Sequence, residues 1–184
     1  DVEELLRRLL EELRRVVKEV EDINRRSLEE ARRVLKRLED DHRRVLKELE
    51  DVLERLRRQG LPEDVVRTLT REIREMAEKH KKLLERIREA VKRSEEEHKR
   101  HTDDVRRTLE TIERELEKVE RRGVSRETIE ELLRKVDRDL KRIRTTSEDL
   151  VRKNEELLEK LERESRRVVE ESRKRLKEAE ERTR

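Results

Sequence analysis

Gln59-Gly60-Leu61-Pro62-Glu63-Asp64 and Arg122-Gly123-Val124-Ser125 hold both glycines and the only proline of the chain, and their reading decides the fold. Gly60 suits the left-handed position just past a helix C-terminus, with Leu61 folding back as its hydrophobic contact. Pro62 suits the first turn of a following helix, where a missing N–H costs nothing. Glu63 and Asp64 then face the positive end of that helix's dipole. Gly123 repeats the stop signal, Ser125 reads as an N-cap, and Val124 with Ile129 has the spacing of a hydrophobic staple. This punctuation predicts three helices, at about 2–59, 62–122 and 126–183. Each is on the order of 87 Å long at about 1.5 Å per residue. Loops this short make neighbouring helices antiparallel, so the expected fold is all-α: one domain, 1–184, of three long, nearly straight helices running up, down and up.

The pattern between the loops supports this. In the first helix Val2, Val20, Leu38 and Leu56 recur every 18 residues, as do Leu10, Leu28 and Leu46, then Val17, Leu35 and Leu53, then Val16, Val34 and Val52. Eighteen residues are five turns of a straight helix, and all apolar side chains of the first helix fall in an arc of roughly 140°. A strict heptad would drift and impose a supercoil; this pattern does not drift. Such stripes suit a three-helix core and could also admit a helix from another chain.

Of 184 residues, 57% are charged and 29% apolar, with 54 Lys+Arg, 51 Asp+Glu and neither cysteine nor Phe, Trp or Tyr. The absence of cysteine excludes disulfides, thiolate nucleophiles and Cys-type zinc sites. Apolar runs of two residues are too short for a membrane span or a signal peptide, which leads us to expect a soluble chain. The isoelectric point of about 9.2 raises the question of nucleic acid. Binding it requires basic residues gathered on one face. Here residues 1–59 carry 17 basic and 17 acidic residues, residues 63–122 carry 18 and 17, and residues 125–184 carry 19 and 17. Signs alternate in twos and threes along each helix, and no aromatic is present for base stacking. The expected surface is a solvated one laced with i,i+4 pairs, with neither nucleic acid nor membrane as partner.

The apolar stripes are interrupted by Asn24, Ser27 and His42 in the first helix, His80, Ser94, His98, His101 and Thr102 in the second, and Ser147, Asn154, Ser165 and Ser172 in the third. Each costs free energy if buried unpaired, typically about 1–3 kcal/mol. Folding the chain about the first loop brings Ser27 level with Ser94, Asn24 with His98 and His42 with His80. Folding about the second brings Ser94 level with Asn154 and His101 with Ser147, and sets His80 between Ser165 and Ser172. Two buried hydrogen-bond networks are therefore expected: one of Asn24, Ser27, Ser94, His98, His101, Thr102, Ser147 and Asn154, the other of His42, His80, Ser165 and Ser172. His42 and His80, if buried, should be neutral, with pKa values below about 6.5.

Catalytic and metal readings fare worse. His98 and His101 share a face at metal-site spacing, but Asn24, Ser27, Ser147 and Asn154 are poor zinc ligands. Ser94 and His98 also share a face, yet a bundle core offers no cleft and no free backbone N–H to stabilise an oxyanion. Glycine-rich phosphate loops are missing, and the lone Met76 reads as core filler. We therefore expect no catalytic residue, no metal, no cofactor and no small-molecule substrate.

Taken together, the 18-residue Leu/Val repeat, the Gly-Leu-Pro-Glu-Asp and Gly-Val-Ser loops, the Glu/Arg/Lys surface and the layered Ser/Asn/His give the whole chain a resemblance to de novo designed helical bundles with engineered core hydrogen-bond networks. The resemblance is one of style, since no homologous motif is matched. It implies a protein made to test or use helix association, as in designed heterodimers and oligomers, with no natural substrate. Its partner would be a designed helix or chain, or a second copy. Within one chain two short loops already set helix order, whereas polar layers are most useful when separate chains must choose a partner or register. A stand-alone scaffold is the alternative, and a spectrin-like or membrane-curving bundle the natural one. Spectrin-like repeats usually carry core aromatics, and membrane-curving bundles kinks and a basic face.

Overall fold

The computed structural model describes residues 2–183. Asp1 and Arg184, the ends of the expected domain, and the side chain of Val2, the start of the repeat, lie outside the described residues. Three helices follow one another, α1 (Val2–Arg58), α2 (Glu63–Arg122) and α3 (Arg126–Arg182). Each packs against the other two, and the chain is 96% helical without a strand among the described residues. It is an all-α three-helix bundle.

The loops explain the breaks. Gly60 and Gly123 take φ of +63° and +58°, and no other described residue has positive φ. Only glycine enters that region without steric cost. The Gln59 N–H donates to the Arg55 carbonyl, closing the last turn of α1, and Leu61 packs on the apolar cluster that contains Leu56. The Pro62 carbonyl accepts from the N–H groups of Val65 and Val66 at 3.1 Å, so proline stands at the threshold of α2, one residue outside its first assigned turn. In the second loop the Thr128 N–H donates to the Ser125 hydroxyl at 3.4 Å and the Ile129 N–H to the Ser125 carbonyl at 3.2 Å. Ser125 is thus the N-cap of α3, with a long capping bond.

The chain divides into two compact units, each made of a segment from every helix: residues 1–30 with 93–155, and residues 31–92 with 156–184. The first unit holds one apolar cluster, including Leu13, Val16, Val20, Val105, Ile112, Val136 and Ile143. The second holds two, one around Ala31, Leu38, Leu83, Ile87 and Leu158, the other around Val45, Leu49, Leu69, Ile73 and Met76. Removing such side chains from water at about 25 cal/mol per Å² drives the assembly. Thr68 and Thr111, inside α2, send their hydroxyls back to the carbonyls of Asp64 and Arg107, four residues earlier, which satisfies them locally.

Because a Cβ added at Gly60 would meet no atom within 4 Å, the cost of a side chain there is conformational alone. Gly60→Ala should lower unfolding free energy by about 1–2 kcal/mol, and Gly60→Asn by less, as read from urea midpoints at equal slope.

Candidate functional site

Burial within a helical stripe removes a polar side chain from water, so each must find its partners on the other helices. Asn24, Ser27, His42, His80, Ser94, His98, His101, Ser147, Asn154, Ser165 and Ser172 are all buried, and Thr102 is half-buried. They fall into two groups, and each group lies wholly within one unit.

In the second unit, α1 contributes His42, α2 His80, and α3 Ser165 and Ser172. The two imidazoles meet Nδ1 to Nδ1 at 2.6 Å, edge to face, with ring centroids 4.9 Å apart. His42 Nε2 lies 2.6 Å from the Ser165 hydroxyl, and His80 Nε2 lies 2.6 Å from that of Ser172. The result is one unbranched chain, Ser165–His42–His80–Ser172. Every ring nitrogen has a partner, and one Nδ1 must donate while the other accepts.

In the first unit the bonds are denser. His98 donates from Nδ1 to the Ser94 carbonyl one turn earlier at 2.7 Å, so its Nε2 is the acceptor for the Ser27 hydroxyl at 3.0 Å. Asn154 donates from Nδ2 to both the Ser27 hydroxyl and the Ser27 carbonyl, at 2.9 and 3.0 Å. Its Oδ1 accepts from the Ser94 hydroxyl at 2.8 Å. These directions are mutually consistent and assign the Nδ1–H tautomer to His98. Asn24 donates from Nδ2 to the Thr102 hydroxyl at 3.2 Å. Among the described residues of this unit, Asn24 Oδ1, His101 Nε2 and Ser147 Oγ are buried without a hydrogen-bond partner.

The sequence pairings are therefore met unevenly. His42 with His80 and Ser94 with Asn154 bond directly. Ser27 bonds to His98 instead of Ser94, and Asn24 to Thr102 instead of His98, each one turn further along α2. The cause is side-chain direction, because helical side chains lean toward their own N-terminus. The His98 ring lies back over the turn of Ser94, as its 2.7 Å bond to that carbonyl shows. His101 and Ser147 make no bond to each other.

The surface carries the expected i,i+4 pairs, among them Arg58–Glu54 at 2.8 Å and Lys141–Asp137 at 3.1 Å, and others that the sequence did not indicate. Several ion pairs bridge helices, among them Arg37–Glu162 at 2.6 Å, Lys135–Glu115 at 2.8 Å and Arg142–Asp104 at 2.9 Å. In each an exposed base meets a half-buried acid, and each contributes little, about 0–1 kcal/mol at most. Sequence reasoning also missed a groove between α1 and α3 in the first unit. It measures about 470 Å³ and is lined by Val16, Val20, Ile23, Ser147 and Val151 with a charged rim. The signal for it was Ile23, at the edge of the apolar arc.

Among the described residues no group of three or more His, Cys, Asp or Glu is placed to hold a metal ion, and no helix is long and apolar enough to cross a membrane. No protein-family model, curated protein or solved structure matches the chain.

Burial lowers the pKa of His42, with Asp41 opposing. Burial, then the neighbouring His42 and Lys79, push His80 down to about 4. His101 is lowered by burial, against Asp104 and with His98 and Arg142. A base whose folded pKa lies below its unfolded value of about 6.5 gives its full stability above that pH. As pH falls the unfolded chain takes up protons that the folded chain refuses. Stability should drop by on the order of 3 kcal/mol for His80 between pH 6.5 and 4, with His42 and His101 in the same direction. Urea midpoints across that window should fall more steeply for the parent than for the His42→Asn/His80→Asn double variant, which shares its carboxylates. Ser165→Ala strands His42 Nε2 in the interior and should cost about 1–3 kcal/mol at pH 8, measured by the same melts.

Proposed function

We propose that the chain is a designed helix-association module, in which the two buried Ser/Asn/His networks set which helix faces pair and in what register. The observation that carries this reading is an exposed apolar edge of α1 in the first unit. Leu5 and Ile23, 18 residues apart and so at one angular position of α1, are 47% and 40% exposed. The next position of that series within α1 is Asp41, and the third exposed large hydrophobic, Val65, lies on α2. Ile23 lines the groove together with Val16, Val20 and Val151. An exposed aliphatic edge beside a groove is where a helix of another chain gains most from docking. Polar layers within reach of it penalise a partner that arrives in the wrong register.

A stand-alone scaffold is the second reading. The closed Ser165–His42–His80–Ser172 chain favours it, because that network needs nothing from outside.

Light scattering after size exclusion separates the two. The association reading expects a mass above 22.7 kDa that rises with concentration, and a return to the monomer mass for Leu5→Lys/Ile23→Lys. A mass of one chain at every concentration, unchanged by the double variant and by an added cognate helix, favours the scaffold.

A further inference from the structure

The three unpartnered atoms of the first unit, Asn24 Oδ1, His101 Nε2 and Ser147 Oγ, come one from each helix, and their residues are only 2%, 6% and 2% exposed. They also share a level. The 2.8 Å bond from Ser94 to Asn154 sets α2 against α3. Seven residues further along α2 is His101, and seven back along α3 is Ser147, so two antiparallel turns carry both to the same depth. The bond from Asn24 to Thr102 sets Asn24 beside the neighbour of His101. Ser147 also lines the groove that opens between α1 and α3.

We propose that this layer binds a single water molecule, held by Asn24, His101 and Ser147 and exchanging through the α1–α3 groove. The chemistry of the three groups is complementary to one water and to little else. Asn24 Oδ1 only accepts, so it takes one water O–H. The Ser147 hydroxyl and the His101 imidazole each donate or accept, so one donates to the water oxygen and the other takes the second O–H. Buried waters typically make about three hydrogen bonds to otherwise unsatisfied polar groups, and this layer supplies three. An ion has no counter-charge among these neutral groups. A larger polar molecule would have to displace the aliphatic groove wall. The second unit is an internal contrast, since all four of its side chains are bonded to one another in a chain and none calls for a bridge.

The inference goes beyond the proposed association role and is independent of it. A high-resolution crystal structure of the full chain tests it directly. It should show one oxygen within hydrogen-bond distance of all three atoms, and none inserted between His42 and His80. In solution, water-oxygen relaxation dispersion should count one fewer long-lived water in Ser147→Val than in the parent. Asn24→Leu serves as the second variant should valine disturb folding. A direct His101–Ser147–Asn24 chain with no intervening oxygen overturns the proposal. So does a dispersion amplitude that is the same in parent and folded variant.

Discussion

The interaction on which the rest depends is the contact between His42 and His80. Apolar stripes built from Leu and Val look nearly alike one turn up or down, so hydrophobic burial alone holds helices together without telling them where to stop. A buried imidazole is less forgiving. Sliding α2 by one turn against α1 within the second unit would set Met76 or Leu84 opposite His42, and its Nδ1 would lose its partner. The same slip would separate His80 from Ser172. Each orphaned group costs about 1–3 kcal/mol, against a few tenths for a contact exchanged between aliphatic neighbours. Register is thus a property of a few polar residues, while cohesion belongs to the many apolar ones.

The first unit obeys the same rule through a different device. Asn154 reaches across to α1 and holds both the hydroxyl and the carbonyl of Ser27, while His98 is tied at one nitrogen to its own helix and at the other to α1. Backbone and side chain are engaged together, so a rotation of α1 about its axis breaks as many bonds as a translation. Buried ionic or polar groups often weaken a fold relative to an apolar replacement. In this bundle His98 and Asn154 tie α2 and α3 to the same turn of α1, at Ser27.

Much of this was legible in the sequence, and the remainder was not for identifiable reasons. Gly60, Pro62, Gly123 and Ser125 located the helix boundaries at both loops to within a residue, because positive φ and N-capping are local demands that few residues meet. The levels of His42 with His80 and of Ser94 with Asn154 followed from counting residues on either side of the loops. Counting places Cα atoms, however, and hydrogen bonds are made by side-chain tips. The lean of His98 over Ser94 moved the Ser27 bond by a turn, and nothing in the residue order records that lean. The interhelical pairs such as Arg37–Glu162 were illegible for the opposite reason: with a charge on almost every turn, many pairings were available and lateral packing chose among them. The groove beside Ile23 required knowing how far the α1 arc outruns the faces that cover it.

The unbranched Ser165–His42–His80–Ser172 chain has one more property. Only a single hydrogen fits between the two facing nitrogens, so the rings must adopt opposite tautomers. If His42 carries its hydrogen toward His80, then His80 points its own toward Ser172, and Ser165 points toward His42. The reverse order occupies the same heavy-atom positions and satisfies the same atoms. The interior of this unit therefore has a polarity, directed from α3 across both rings and back to α3. That polarity can stand in either of two senses without moving the backbone.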